Sequence, residues 1–287
     1  MRSTIISIFA VLLLLGVIEV YGAGETVITM ENCWSFDTAD ISGTTAYDNG
    51  TELNNATMTS ITLNTTGCVV GQCIERDAIT DVTNTIKNLN FNGGHSRTFM
   101  FWAKIPGLPA GANLFASGAA ADCQRWSAQI QDGANNHDFR GYASCDVLTI
   151  GSSPEAWTHF AYRYDSNATL DIFVNGTRKS NTAMTLNTGA GILHIGNVVA
   201  DNNGMDGFLD EFKVYNGSLP DANISADYNG GSGVNCIKRT TLVFEYKPGS
   251  YIRGRWITMT AFLIVAGLLG YFGFKRYFSR SKTESLK

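Results

Sequence analysis

The sequence of 287 residues predicts an all-β sandwich followed by one C-terminal transmembrane helix. Short apolar or alternating segments recur at intervals of about ten residues, which is typical of the strands of a sandwich. Turn residues separate these segments, and helical periodicity is almost absent before residue 256. A continuous apolar run, Trp256–Phe274, follows near the end of the chain.

The strand pattern begins weakly and becomes strong near residue 97. Residues 24–66 are rich in Thr, Asn, Asp and Gly, and they predict loops and short edge strands. Nearly every residue of Arg97–Lys104 is apolar, which indicates a strand that is covered on both faces. Thr169–Val174 alternates and ends at Asn175-Gly176, the strongest short signal for a hairpin turn. Further strands are predicted at Leu114–Ser117, Trp126–Ile130, Asp146–Ile150 and Trp157–Tyr164.

Residues 1–22 have the pattern of a signal peptide. Arg2 supplies a positive charge, Ile5–Ile18 is apolar, and Val20 and Gly22 are small enough for a cleavage site. An uncleaved signal anchor is the alternative. Both interpretations send the residues that follow across a membrane.

The apolar run at 256–274 contains no charged residue, and its length approaches the hydrocarbon thickness of a bilayer. Lys275 and Arg276 follow at once, so the positive-inside rule places a short tail, residues 275–287, in the cytoplasm. The chain is therefore predicted to be a type I single-pass membrane protein that contacts the lipid bilayer through 256–274.

The predicted ectodomain spans residues 23–235, and residues 236–255 form a juxtamembrane stalk. Gly267, Gly270 and Gly273 lie three residues apart in the span, and small residues allow transmembrane helices to pack closely. Homo-oligomerisation through this helix is therefore one hypothesis. Frequent glycine in membrane spans is the alternative explanation.

The charge distribution excludes one class of partner. The chain has 25 acidic and 21 basic residues, and several of the basic ones lie in the C-terminal tail, so the ectodomain is acidic. Because binding to nucleic acid needs clustered Lys and Arg, we expect no nucleic-acid partner.

Six cysteines behind a signal peptide predict disulfide bonds formed in an oxidising compartment. Six cysteines allow 15 pairings. We expect Cys33–Cys236 to tie the two ends of the sandwich, Cys68–Cys73 to close a small loop, and Cys123–Cys145 to link neighbouring strands. A zinc site is not favoured, because no second cysteine pair with metal-ligand spacing follows Cys68 and Cys73.

Seven sequons predict N-linked glycosylation on the exported part of the chain. They begin at Asn49, Asn55, Asn64, Asn167, Asn175, Asn216 and Asn223.

Five short sequence motifs follow one another along the ectodomain: Phe36–Gly43, Phe101–Lys104, Trp157–His159, Leu170–Gly176 and Gly207–Tyr215. Together they resemble the laminin-G-like, concanavalin A-type jelly-roll family over about two-thirds of the chain. The resemblance implies a two-sheet antiparallel jelly roll that displays binding loops. Departures are the extra cysteines and an Asn-rich region at 84–94.

The hydrolases with this type of fold need two carboxylates close together on one face. Asp210 and Glu211 are adjacent on a predicted strand, so we expect them to point to opposite faces and to form no catalytic pair. We therefore predict that the chain is not an enzyme.

The same alternation predicts that Asp210 shares a buried face with Phe208, Phe212 and Val214. A buried carboxylate needs hydrogen bonds or a cation. Asp210 is thus expected either to accept amide hydrogens from a loop or to bind Ca²⁺, together with Asp40. The resemblance implies Ca²⁺ as the cofactor, since many relatives bind it.

Candidate ligand-binding residues lie around the Cys123–Cys145 loop, where an aromatic ring and polar groups could hold a sugar. They are Trp126, His137 and Tyr142. For Trp126, a place in the core is the alternative.

The function that these features predict is binding or adhesion at a cell or virion surface, with a glycan or a surface protein as ligand. A structural coat protein that assembles laterally is the second hypothesis, and a degenerate glycoside hydrolase is the third.

Overall fold

The fold is that of a computed structural model, which describes residues 27–78, 81–106, 112–130, 136–151, 154–197, 204–236 and 243–244. These residues belong to a compact unit that ends at residue 244. Within them one α-helix, α1, spans Asp221–Tyr228, and all other long elements are strands. The predicted all-β class is therefore confirmed.

The described residues form the following strands in chain order. They are β1 Val27–Ile28, β2 Met30–Trp34, β3 Ile41–Ser42, β4 Thr45–Ala46, β5 Ala56–Thr59, β6 Thr62–Asn64, β7 Cys73–Arg76, β8 Val82–Asn88, β9 Arg97–Lys104, β10 Asn113–Gly118, β11 Arg125–Ile130, β12 Asn136–Arg140, β13 Asp146–Gly151, β14 Thr158–Asp165, β15 Thr169–Val174, β16 Thr177–Ala183, β17 Ile192–Ile195, β18 Gly207–Tyr215 and β19 Val243–Phe244.

Among the described residues, the strands form two large antiparallel sheets and a short pair, β1 with β19. One sheet has nine strands in the order β13-β12-β11-β10-β17-β8-β5-β4-β3. The other has eight strands: seven follow the order β16-β15-β14-β9-β18-β7-β6, and β2 also pairs with β18. Strands distant in sequence are therefore neighbours, and β18 pairs with three of them, β2, β7 and β9.

Aromatic side chains from both sheets fill the space between them. Phe115, Trp126 and Phe139 come from the nine-stranded sheet, and Phe101 and Phe212 come from the other. The rings of Phe101 and Phe212 stack with centroids 5.0 Å apart. Offset and tilted ring pairs stabilise a core beyond the area that they bury.

Helix α1 lies against the outer face of the eight-stranded sheet. Met100 of β9 packs in an apolar cluster with Ile224 of α1. Trp102, also on β9, stacks on Tyr228 with centroids 5.6 Å apart. Strand β9 is therefore buried on both faces, as its apolar sequence predicted.

The hairpin predicted at Asn175-Gly176 is confirmed. Val174 pairs with Thr177, which leaves a two-residue loop between β15 and β16. Both loop residues have positive φ, 50° for Asn175 and 71° for Gly176. These are the angles of a type I′ turn, which Asn and Gly adopt most readily.

The three expected disulfides are present. The Cα atoms are 5.7 Å apart in Cys33–Cys236, 5.5 Å in Cys68–Cys73 and 5.0 Å in Cys123–Cys145. The first joins β2 to the segment that follows α1, and so fixes the end of that segment on the sheet.

The described residues contain no helix that is long and apolar enough to cross a bilayer. The segments predicted as signal peptide, transmembrane helix and cytoplasmic tail, and nearly all of the stalk, lie outside the described residues. Membrane anchoring and helix-mediated oligomerisation therefore stay predictions. All seven sequons are described; Asn167 and Asn175 are exposed, the other five are half-buried, and their glycosylation also stays a prediction.

Candidate functional site

A row of mainly polar residues crosses six strands of the nine-stranded sheet. Pairing in register connects each residue to the next, from β5 through β8, β17, β10 and β11 to β12. The row consists of Thr57, Asn84, His194, Ala116, Ser127 and Arg140. Since residues in register share a face, the row forms one continuous strip.

The strip lies on the outer face of the sheet because of strict alternation. In β11, Trp126, Ala128 and Ile130 belong to the core. Arg125, Ser127 and Gln129 alternate with them and therefore point to the other side. Ser127 belongs to the strip, and Arg125 and Gln129 border it on the same strand.

His194 is held in the strip by a short hydrogen bond. Its Nδ1 lies 2.7 Å from Oδ1 of Asn84. Burial lowers the pKa of His194, and the positive charge of Arg125 lowers it further. The imidazole is thus neutral at physiological pH, with Nδ1 donating to Asn84 and Nε2 left as an acceptor.

Arg140 is oriented by its neighbours on β11 and β12. With the Gln129 amide turned so that its oxygen faces Arg140, that oxygen accepts from Nη2 at 2.9 Å and from Nε at 3.1 Å. Nη2 of Arg140 also lies 3.7 Å from the carboxylate of Asp138. Oγ of Ser127 donates to the backbone oxygen of Arg140 at 2.8 Å. These contacts fix the guanidinium side chain, which remains one-third exposed.

The strip offers amide, imidazole, hydroxyl and guanidinium groups, which together can donate and accept hydrogen bonds. Such groups match the hydroxyls of a sugar. Asp138 is the carboxylate that contacts Arg140, and it is fully buried.

Two of the three residues predicted to contact a ligand are in the core, which corrects that expectation. Trp126 is 1% exposed and makes an edge contact with Phe139 at 4.8 Å. His137 is fully buried, with its ring 4.7 Å from that of Phe160. Tyr142 is 40% exposed with a φ of 78°, and its role in binding stays a prediction.

The expectation that Asp210 and Glu211 point to opposite faces is wrong. The register of β18 against β9 shifts between Asp210 and Lys213, and Glu211 has a φ of 52°. A bulge of this kind inserts one residue and reverses the alternation beyond it. Leu209 and Phe212 lie in the core, whereas the two carboxylates between them lie on the outer side of the sheet.

Both carboxylates are buried beneath neighbouring segments. Asp210 accepts from the amides of Val69 and Val70, at 3.0 and 2.9 Å, inside the Cys68–Cys73 loop. Glu211 accepts from the amide of Cys236. Burial raises the pKa of Asp210 to about 8 and that of Glu211 to about 9.

The sequence predicted that Asp210 either accepts hydrogen bonds from loop amides or binds Ca²⁺. The amides of Val69 and Val70 are the donors that the first of these predictions required. Asp40 accepts instead from Oγ of Ser35 at 2.6 Å. The described residues contain no group of three or more His, Cys, Asp or Glu side chains that could hold a metal. Calcium binding by Asp40 and Asp210 stays a prediction, since Ca²⁺ also takes backbone oxygens.

The family model described as "Concanavalin A-like lectin/glucanases superfamily" matches residues 79–225, about half of the chain. The chain belongs to this superfamily. The match covers the polar strip from β8 to β17 and includes the carboxylates of β18. No curated protein sequence matches the chain.

Solved structures share the jelly-roll fold of the superfamily. Domain 4 of AbnA, a GH43 extracellular arabinanase from Geobacillus stearothermophilus in complex with arabinotriose, superposes with a TM-score of 0.54 at 19% identity, over 70% of this chain and 98% of that domain. The binding domain of Paraclostridial Mosquitocidal Protein 1 gives 0.53 at 15% identity, over 71% of this chain and 52% of the other. A sialidase from Trypanosoma rangeli superposes with a TM-score of 0.55 at 10% identity, over 72% of this chain and 34% of the sialidase chain.

This chain spans about half of the mosquitocidal binding domain and about a third of the sialidase. At these identities the likeness shows the concanavalin A-like fold alone, and fold does not determine function.

Sequence reasoning missed the polar strip. The signal was present in Arg125–Ile130, where polar residues alternate with Trp126, Ala128 and Ile130. The link between this segment and Asn84 or His194 was not readable, because their strands are joined only through the sheet order.

Proposed function

We propose that this member of the concanavalin A-like superfamily is a binding module that takes a glycan on the outer face of its nine-stranded sheet. The observation that carries the proposal is the row from Thr57 to Arg140, which crosses six strands and in which five of the six side chains, all but that of Ala116, can form hydrogen bonds. Arg140 and His194 are held by neighbours, so little conformational entropy is lost when a ligand binds.

Binding without hydrolysis is part of the proposal. A glycoside hydrolase uses two carboxylates that flank the scissile bond. Next to the strip, Asp138 is buried beside Arg140. Asp210 and Glu211 belong to the other sheet, where loop and C-terminal residues cover them. Incubation of the purified chain with polysaccharides tests this point, and reducing ends released above a blank would overturn it.

A glycan array probed with the purified full chain tests the binding site. His194→Ala and Gln129→Ala remove one hydrogen-bonding group each, and we expect apparent affinity to fall about tenfold for a central contact. His95→Ala is the matched control, because His95 is exposed outside the strip. Equal binding by the wild-type chain and the three variants would refute this site.

We also propose that the module is displayed on a membrane surface as a type I glycoprotein. The support is the pair of apolar segments at 1–22 and 256–274, together with the sequons and disulfides of the residues between them. Extraction of membranes at alkaline pH tests the anchor. Release of the chain into the supernatant would contradict it, and a mobility shift after deglycosylation would support the glycans.

A further inference from the structure

A second partly exposed row lies on the outer face of the eight-stranded sheet, beyond the area covered by α1. Thr62 of β6 pairs with Glu75 of β7, Glu75 with Phe208 of β18, and Phe208 with Lys104 of β9. Thr62 is exposed, and the other three are half-buried. Trp157 precedes Thr158, which pairs with Ala103, and so Trp157 continues the row opposite Lys104.

The two aromatic rings of this row are close together. The ring centroids of Trp157 and Phe208 are 6.3 Å apart, with planes at 56°. Nζ of Lys104 lies 5.4 Å from the centre of the Phe208 ring, within the range of a cation–π contact.

Trp157 differs from the other described tryptophans. Trp34, Trp102 and Trp126 are fully buried, whereas Trp157 is half-buried. Its indole N–H donates to the backbone oxygen of Gly67 at 2.5 Å, which fixes the ring at the base of the Cys68–Cys73 loop. A fixed, partly exposed ring is a ready surface for stacking.

Polar groups flank the rings. Nδ2 of Asn64 donates to Oε2 of Glu75 at 2.5 Å, which leaves the other carboxylate oxygen of Glu75 as an acceptor. Lys104 supplies an ammonium donor between Phe208 and Trp157. Rings, acceptors and donors therefore alternate along a strip of five positions, about 19 Å long at the usual strand spacing.

We propose that this row is a second saccharide-binding surface, distinct from the strip that contains His194. The C–H face of a sugar ring would stack on Trp157 and Phe208, while its hydroxyls would pair with Glu75 and Lys104. The length of the row fits an oligosaccharide better than one sugar. A peptide is less well matched, because the row crosses the sheet face, and strand addition requires an open edge.

The test uses the purified full chain on an array of neutral and acidic oligosaccharides. We expect Trp157→Ala and Phe208→Ala each to weaken a set of spots about tenfold, the usual loss for a central aromatic contact. Glu75→Gln and Lys104→Gln should weaken the same spots while both aromatic rings are kept, although Lys104→Gln also removes the cation–π contact with Phe208. Tyr47→Ala is the matched control, since Tyr47 is 44% exposed outside both rows.

His194→Ala distinguishes this second surface from the glycan site proposed on the nine-stranded sheet. Spots that survive His194→Ala but are lost in Phe208→Ala would support the second surface, even where the first proposal fails. Normal melting of Glu75→Gln and Lys104→Gln with unchanged binding on every spot would overturn it. A wild-type chain that binds no saccharide, or loses every spot in His194→Ala alone, would overturn it as well.

Discussion

Replacing Lys213 by Met tests how the segment after α1 is fixed to the sandwich. Nζ of Lys213 donates to Asp227 Oδ1 at 2.7 Å and to the backbone oxygen of Val234. The Lys213 side chain is 2% exposed and that of Asp227 is 10% exposed. Because burial raises the pKa of Glu211 to about 9, that carboxyl is mostly protonated at neutral pH, and Asp227 is the main anionic partner of Lys213.

The magnitude follows from the charge left behind. At an effective dielectric constant of about 20, two charges at this separation attract by about 6 kcal/mol. Desolvation of both ions offsets much of that attraction, and removal of one partner from a buried pair typically costs about 3–5 kcal/mol. Burial alone would raise the pKa of Asp227, but Lys213 and His159 outweigh it and hold that pKa below its usual value. Lys213→Met leaves His159 as the remaining partner of Asp227, so we expect the lower part of the range.

Urea unfolding of the disulfide-bonded full chain at pH 7 measures the change. Lys179→Met is the matched control, because Lys179 is exposed on β16, and surface substitutions usually stay within about 0.5 kcal/mol. Adding Asp227→Asn to Lys213→Met should recover part of the loss, since the uncompensated charge is then gone. The reasoning is refuted if Lys213→Met is no more destabilising than the control, or if the double variant is less stable by the sum of both single losses.

Three further predictions concern other groups of the sandwich. In the folded chain, the pKa values of Asp210 and Glu211 are raised to about 8 and 9. Their contribution to stability is therefore complete below about pH 4 and is lost as the pH rises through those values. The urea concentration at the unfolding midpoint should fall as the pH rises towards 9, and it should fall less steeply in Asp210→Asn. Replacing Cys68 and Cys73 by Ser should cost about 2 kcal/mol in the chain-entropy account and should lower the melting temperature, whereas an unchanged melt would contradict a stabilising loop. Trp126→Ala should cost about 3–5 kcal/mol of unfolding free energy while binding per folded molecule is kept; loss of binding at normal stability would restore Trp126 as a ligand contact.

Calcium is tested by calorimetry on the full chain. If Asp210 is a Ca²⁺ ligand, titration should release or absorb heat and raise the melting temperature, and Asp210→Asn should abolish both effects. No heat and no change in melting would leave Asp210 as an acceptor of the Val69 and Val70 amides alone.

Local features were readable from the sequence. The apolar character of Arg97–Lys104 predicted a strand covered on both faces, and Asn175-Gly176 predicted a two-residue hairpin turn. Both depend on a few neighbouring residues, for which backbone preference and burial set the outcome. The preferred disulfide set, one of 15 possible pairings, is also confirmed.

Features that depend on register between distant strands were not readable. Strict alternation placed Asp210 and Glu211 on opposite faces, but the bulge at Glu211 puts both on the outer side. Trp126 was a candidate contact because it adjoins a polar loop, yet its strand turns the ring into the core.

By itself, the sequence determined the all-β class, the hairpin turn and the family. Strand periodicity, turn residues and the order of the short sequence motifs are all properties of the chain alone. Only the tertiary structure decided which polar residues share a surface. Asn84, His194 and Arg140 are far apart in sequence and meet because sheet pairing places β8, β17 and β12 in one sheet. The physical reason is that the direction of a side chain follows local alternation along its strand. Which side chains become neighbours depends instead on the order and register of the strands, and long-range hydrogen bonding and core packing fix these together.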